Sequence, residues 1–453
     1  MVSKSDVRRL LVITYHFPPD GAIGGQRWAA LAKYLGRLGW DVHIVTAAAG
    51  DPEPAPRVHR HFRARRRTLN DAYNAFAGGV KQGSHTETRP HPGNVDHPRS
   101  TSTRPLDAAR RIVRDSIDFP DVARGWVSQA ASEARKLLRE QAFDVVVSSG
   151  PPHSAHFAGM LATIDRDVPF WIDMRDPWSA IYQRQAHRRA PNNWVVRGER
   201  FLMRALERLV LSRAAKILAN TREFAAALKV ADPALDAVWF PNGVDMEEIS
   251  QRDSSQVEQG SMAYVGTLFA YRNLSSVCAA MRALLRDRPE AAAQLKLNVA
   301  GSVEDLRLLR ADVANGLNGV VSVHGVLPRA QALQLLGRSH LALVLAQDLP
   351  MAVPAKLYES VGAGVPTLVL AEPTSPSALE ARRIGAMTVD GTDVDGLRQV
   401  MEEMLAGRIA TSMAARTPIS YEELAVRMDR LLRGSTHADA WRLDDHRAAD
   451  QPA

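Results

Sequence analysis

The chain has 453 residues, 45% of them hydrophobic and 24% charged, and a formal net charge of +7. This is the balance of a soluble globular protein with length for two large α/β domains. It has no run of 18 apolar residues, so no membrane-spanning helix is expected, and its single cysteine, Cys278, excludes an internal disulfide. Cys278 lies in an alanine-rich helical stretch and is expected in a core, in a reducing compartment. No cysteine–histidine cluster has zinc spacing, so no metal site is expected. Much of the positive excess is local: 57–67 reads Arg-Val-His-Arg-His-Phe-Arg-Ala-Arg-Arg-Arg, and Arg104, Arg110, Arg111 and Arg114 follow. No helix-turn-helix, zinc finger or aromatic-interleaved RNA signature accompanies it, which sets nucleic acid aside. Basic runs beside an amphipathic helix fit an anionic membrane surface better.

The N-terminus lacks the apolar region and cleavage site of a signal peptide and leads straight into a strand at 10–13. Residues 24–38 have helical spacing, with Trp28, Leu31, Leu35 and Leu38 on one face, and a second strand follows at 42–45. Residues 50–104 break this βαβ pattern; they are rich in Pro, Gly, His, Arg, Ser and Thr, and 82–103 reads as loosely held. A helix is expected at 106–117, then Phe119-Pro120-Asp121 with Gly125-Trp126, then a helix to about 140. Alternation resumes with strands at 145–147, 170–172, 216–219 and 237–240 and helices at 153–164 and 199–212. Pro241-Asn242-Gly243 is a turn, and the polar stretch 246–260 is a candidate hinge. A second series has strands at 262–265 and near 295–299, 320–323, 341–345 and 367–370, with helices between. The last helix, 421–432, has leucines at period 3.6, and 434–453 is a polar tail expected to be disordered. The pattern is α/β: two Rossmann-like, doubly wound parallel-sheet domains, whose ligands belong at the carboxyl ends of the strands.

Several residues stand at such ends. After the first strand, Gly21, Gly24 and Gly25 allow close backbone approach to an anion at a helix N-terminus, or form an ordinary βα turn. The spacing is not G-x-G-x-x-G, so no nicotinamide cofactor is expected. Gly266-Thr267 repeats this arrangement in the second domain, where turn amides can cradle a diphosphate. Arg272 then reads either as a phosphate contact or as a solvated surface arginine. His153 follows Pro151-Pro152 at a strand end and helix start, either as a structural histidine or as a hydrogen-bonding group at the site. The run Asp173-Met174-Arg175-Asp176 closes a buried strand; Asp176 either orients an acceptor or belongs to a structural salt bridge with Arg175. Lys356 and Glu359 on a short helix can hold a phosphate and a ribose, or form an i, i+3 surface ion pair.

Taken together, Val12-Ile13-Thr14-Tyr15-His16-Phe17-Pro18-Pro19 with Gly24-Gly25, Ser148-Ser149-Gly150-Pro151-Pro152-His153-Ser154, Asp173-Met174-Arg175-Asp176-Pro177-Trp178, Pro241-Asn242-Gly243-Val244-Asp245, Tyr264-Val265-Gly266-Thr267-Leu268 and the segment 354–370 have a family's order and spacing. Over most of residues 8–432 the chain resembles the retaining GT-B glycosyltransferases of the group 1 or family 4 class. The resemblance implies a GT-B fold with two domains facing across a crevice. It places an acceptor-side domain at 1–245, a nucleotide-sugar domain at 246–418 and a helix at 419–433 crossing back to the first domain. It implies transfer from a nucleotide-sugar donor to a hydroxyl of a glycan or polyprenyl-lipid-linked acceptor, without a metal or other cofactor. The expected setting is cytoplasmic, at the inner face of the membrane, in cell-surface polysaccharide or glycolipid synthesis. It further implies that Gly24 and Gly25 face the donor diphosphate and that Arg27 contacts an acceptor phosphate. Thr267 stands where many members have Arg, and Arg272 where they have Lys, which leaves Lys356 as the substitute cation. Glu359 matches the second of a pair of family glutamates, the first being replaced by Met351. The rivals are a hydrolysing sugar-nucleotide epimerase on the same fold and a non-catalytic nucleotide-sugar-binding partner at the membrane.

Overall fold

Unbroken apolar runs such as Leu10-Leu11-Val12-Ile13 mark strands buried on both faces of a parallel sheet. The computed structural model of the protein describes residues 8–18, 23–47, 58–63, 121, 123–180, 194–249, 253–269, 272–303, 306–409 and 418–434. Its described residues divide into two compact units, one of those up to Pro241 together with those from Tyr421, the other of those within Asn242–Ser420.

In the first unit, seven parallel strands alternate with helices. They are β1 (Arg9–Thr14), β2 (Asp41–Thr46), β3 (Val58–Arg63), β4 (Val145–Gly150), β5 (Phe170–Met174), β6 (Lys216–Ala219) and β7 (Ala237–Trp239), in the order β3-β2-β1-β4-β5-β6-β7. The helices are α1 (Ile23–Arg37), α2 (Val127–Glu140), α3 (Ser154–Thr163), α4 (Trp194–Leu211) and α5 (Arg222–Ala231). The order reverses between β1 and β4, which pair from Leu10↔Val145 to Thr14↔Ser149, so their carboxyl ends open the switch point where such sheets bind ligands. Trp28, Leu31 and Leu35 of α1 are fully buried as expected, whereas Leu38 is 37% exposed, because the helix ends at Arg37 and turns out through Gly39 at φ +93°.

The second unit has β8 (Glu258–Val265), β9 (Lys296–Ala300), β10 (Val321–Gly325), β11 (Ser339–Leu345), β12 (Thr367–Leu370) and β13 (Met387–Val389), ordered β10-β9-β8-β11-β12-β13. Its helices are α6 (Ser275–Asp287), α7 (Leu306–Ala314), α8 (Arg329–Arg338), α9 (Ala355–Gly362), α10 (Pro376–Arg383) and α11 (Val394–Leu405). The strand period of two divides the core. Met262, Tyr264, Leu341, Leu343 and Leu345 pack with α6 and α11, while Ala263, Ala342 and Val344 pack with α9 and α10. Cys278 is buried in the first of these layers, and burial pushes its thiol up to about 12. The last helix, α12 (Tyr421–Leu432), groups with the first unit, where the Trp40 indole N–H donates to Asp429 Oδ1 at 2.7 Å.

Three expectations change. The unit boundary falls at Pro241/Asn242 rather than after 245, because Asn242 Nδ2 donates to Val353 O at 3.1 Å and the Val244 N–H to Ile419 O at 3.1 Å. The basic stretch contains the edge strand β3, paired parallel to β2; the rest of 50–104 and the expected helix at 106–117 lie outside the described residues. The region 222–231, unassigned from sequence, is helix α5, capped by Thr221, whose hydroxyl accepts from Phe224 N.

Candidate functional site

At the carboxyl end of β5, Asp173 is fully buried and takes hydrogen bonds from four donors. Arg27 supplies Nε at 3.1 Å and Nη2 at 2.9 Å, Trp28 its indole N–H at 2.8 Å and Ser149 its hydroxyl at 2.8 Å. Burial alone pushes the Asp173 carboxyl up, but Arg27, Arg175 and the Ser149 hydrogen bond outweigh it and hold it below the ordinary carboxylate range. Arg27 also donates to the carbonyl oxygens of Phe240 and Pro241, and its side chain is 2% exposed. Arg27, expected at an acceptor phosphate, is here a buried tie that joins α1 to β5 and to the segment after β7. A long cation one turn into a helix reads the same from sequence whether it faces outward or inward.

Arg175 is the cation nearer the surface. Its Nε donates to Gly150 O at 3.0 Å and its Nη2 to Pro151 O. Burial lowers its guanidinium from the ordinary value, and Asp173 and then half-buried Asp176 pull it back up. Gly24 and Gly25 lie inside α1, not in a loop before it. A Cβ on Gly24 would stand 2.4 Å from Arg175 Nη1, and one on Gly25 would stand 2.9 Å from Phe17 Cα. These glycines admit the arginine and the preceding strand's exit to the start of the helix.

His153 is the N-cap residue of α3. Its ring stacks on Trp178 at 5.0 Å and 12°, and its centroid is 5.5 Å from that of His156. His153 Nδ1 is buried without a hydrogen-bond partner among the described residues. Burial, then His156 and Arg175, hold it well below 6.5. His156 shares a 2.9 Å hydrogen bond between Nδ1 and the Ser148 hydroxyl, its Nε2 has no partner among the described residues, and burial takes it to about 3. Both rings are thus neutral near pH 7 and can accept or donate one hydrogen bond each. The α3 N-terminus is itself occupied: Asp121 accepts from Ser154 N at 2.8 Å and from Ala123 N at 2.9 Å. Pro-Asp…Gly-Trp therefore brings a helix-capping carboxylate to this turn. Sequence reasoning missed Trp178 and His156; an i, i+3 histidine pair after a Pro-Pro turn was the available signal.

In the second unit β8 runs into Gly266-Thr267. The expected amide cradle is mostly used internally, since Gly266 N–H donates to Ala300 O at 2.8 Å and Leu268 N–H to Ser302 O at 2.9 Å. The glycines serve close packing instead. A Cβ on Gly301, at φ +135°, would lie 2.0 Å from Gly266 O. One on Gly266 would lie 2.8 Å from Lys356 Cε and 2.9 Å from the Tyr264 hydroxyl, which donates to Thr267 O at 2.7 Å. Lys356 therefore lies across Gly266. Arg272 closes the same turn, with Phe269 N–H donating to its carbonyl at 3.1 Å and its guanidinium 4.6 Å from the Phe269 ring centroid, and it acts electrostatically on the Tyr264 hydroxyl. Glu359 is not paired with Lys356: its Oε1 accepts from Arg329 Nη1 at 2.9 Å, and Arg329 Nε donates to Glu248 Oε2 at 3.1 Å. Burial lowers the Lys356 ammonium, Glu359 opposes this and Arg329 adds to it. The structure thus brings Gly266, Thr267, Arg272 and Lys356 to one strand end and adds Arg329, 57 residues from Arg272 in sequence and invisible to local pattern.

Residues 24–243 match the model of the glycosyl transferase 4-like domain. No curated protein matches the sequence. Among solved structures, the fold is similar to sucrose-phosphate synthase from Thermosynechococcus elongatus, at TM-score 0.64 and 13% identity over 94% of this chain and 98% of that one. It is also similar to a UDP-forming α,α-trehalose-phosphate synthase from Burkholderia xenovorans, at TM-score 0.59 and 16% identity over 98% and 100%. A third similar structure, WaaG, a glycosyltransferase involved in lipopolysaccharide biosynthesis, has TM-score 0.56 and 14% identity over 97% and 99%. The chain has the GT-B fold, and its residues 24–243 are similar to the glycosyl transferase 4-like domain.

Proposed function

We propose that the protein transfers a sugar from a nucleotide-sugar donor to a hydroxyl of a glycan or lipid-linked acceptor, with retention of anomeric configuration, at the cytoplasmic face of a membrane. The observation that carries this reading is Lys356 lying across side-chain-free Gly266, with Arg272 at the same strand end. One cation lying over a glycine, with a second over the neighbouring Phe269 ring, forms a receptor for the diphosphate that departs when the glycosidic bond breaks. Fixed positive groups at a developing charge are usually the largest catalytic contribution. The family match over residues 24–243 supports transfer of a glycosyl group.

In this reading the donor's nucleotide belongs to the second unit, with Glu359 accepting from the ribose hydroxyls. In the first unit, neutral His153 hydrogen-bonds a sugar hydroxyl through Nδ1, which has no partner among the described residues, and Asp176 orients the acceptor. The acceptor oxygen bonds to the anomeric carbon as the carbon–phosphate-oxygen bond breaks on the same face, and the acceptor proton passes to a donor phosphate oxygen. Lys356 and Arg272 balance the diphosphate charge, so the reading assigns no role to a metal. The test is to incubate the protein with a panel of nucleotide sugars in EDTA, with glycan and polyprenyl-phosphate-linked acceptors. Acceptor-dependent release of nucleoside diphosphate is expected. Release of an epimerised free sugar, or binding without turnover, overturns it.

A further inference from the structure

Helix α4 (Trp194–Leu211) buries one face and leaves the other open. Met203 and Val210 are fully buried and Leu211 is 6% exposed, whereas Phe201 is 76%, Leu202 47% and Leu209 46% exposed. Large apolar side chains grouped on one exposed arc mark an interaction surface. At about 100° per residue, exposed Arg204, Arg197 and Arg208 lie along one flank of that arc with Phe201 next to Arg208, and Leu209 and Leu202 lie along the other flank. Neither acid of the helix lies within the arc: Glu199 and Glu207 fall on its inner flanks, and Glu207 accepts from Ser179 N at 3.2 Å. In sequence, Arg184, Arg188 and Arg189 precede the helix.

We infer that the exposed face of α4 docks on an anionic lipid surface. A second copy of the chain satisfies this face less well, because an antiparallel two-fold contact would bring the three arginines against their own counterparts and a parallel one would set them against the partner's leucines, with no phosphate for them in either case. A lipid surface accommodates both halves of the arc. Phe201 and Leu209 enter the acyl boundary, while the arginines extend their stems along the helix and keep their guanidinium groups among the lipid phosphates. The helix lies on the membrane and does not cross it; among the described residues no helix is long and apolar enough to span. This deepens the membrane-side part of the proposed function but does not depend on sugar transfer, so failure of either leaves the other standing.

The test is co-sedimentation of the full chain with vesicles of phosphatidylcholine alone and of phosphatidylcholine with phosphatidylglycerol. Binding to the anionic vesicles only is expected. The double variants Phe201→Ser/Leu209→Ser and Arg197→Glu/Arg208→Glu should each lower partitioning roughly tenfold or more. Circular dichroism and nucleoside-diphosphate binding should stay unchanged, because all four side chains are exposed. Wild-type partitioning in either variant, equal binding to neutral vesicles, or a solution dimer that Phe201→Ser dissociates would overturn the inference.

Discussion

Two arginines of the same chain illustrate how placement decides role. Arg27 has its guanidinium enclosed by Asp173 and the carbonyls of Phe240 and Pro241. Removing one partner of such a pair leaves a buried charge uncompensated, so Arg27→Met is expected to destabilise the first unit by about 3–5 kcal/mol in urea denaturation. Arg272 and Lys356 are only half-buried. Arg272→Ala and Lys356→Ala should leave the urea midpoint nearly unchanged and lower turnover by about 100-fold each, as loss of one electrostatic donor does. A wild-type rate in either variant would remove it from the diphosphate site. Glu359 lies between these cases, because its carboxylate already accepts from Arg329. Glu359→Ala should weaken nucleoside-diphosphate binding by about 1.5–3 kcal/mol in calorimetry. Arg329→Ala should weaken it less, through loss of the orientation that the ion pair supplies. If Arg329→Ala has the larger effect, Arg329 itself contacts the ligand.

At the scale of elements, the turn from β4 into α3 carries a pH signature. His153 and His156 share this element, and burial holds both below their unfolded value of 6.5, His156 at about 3. The unfolded chain therefore binds more protons than the native one between these limits, and stability rises with pH there. It should be level above pH 6.5 and fall as pH drops below it, by up to about 1.4 kcal/mol per pH unit for each histidine. Asp173, held below the ordinary carboxylate range, loses its contribution only lower, as pH falls past 3.8. Asp121 and Glu207, raised by burial, act in the opposite sense in the lower part of the window. Thermal melts between pH 7 and 5 should thus show a decline that His156→Gln flattens; an unchanged slope would mean that the ring is not titrating. Strands and helices of this kind were legible because burial on both faces writes continuous apolar runs, as in 145–147 and 341–345. Among the elements that were not are β3 at 58–63 and α5 at 222–231, which lack that signal, and α10, β13 and α11 between 376 and 405. The edge strand β3 reads Val-His-Arg-His-Phe-Arg, with no apolar run, and α5 is short and ordered by a threonine cap.

For the molecule as a whole, what sequence conveyed least was which way a functional side chain points. Gly24 lies inside α1 against Arg175, Gly266 lies at the end of β8 under Lys356, and Arg27 is a buried tie, since motif spacing specifies the backbone and not the contacts made across it. The two units each have their own sheet and core, so unfolding is not expected to follow a single two-state transition. A ligand stabilises the state that binds it, and a nucleoside diphosphate at 100 times its Kd adds about 2.7 kcal/mol. In the proposed reading its contacts are Lys356, Arg272 and Glu359, all in the unit Asn242–Ser420. The stabilisation should therefore appear in that unit's melting transition and should not depend on the His153–Trp178 stack. Calorimetric scans with and without nucleoside diphosphate should show the shift in wild type and in His153→Ala, and lose most of it in Lys356→Ala. A shift abolished by His153→Ala but retained in Lys356→Ala would place the diphosphate against the first unit and reverse the assignment.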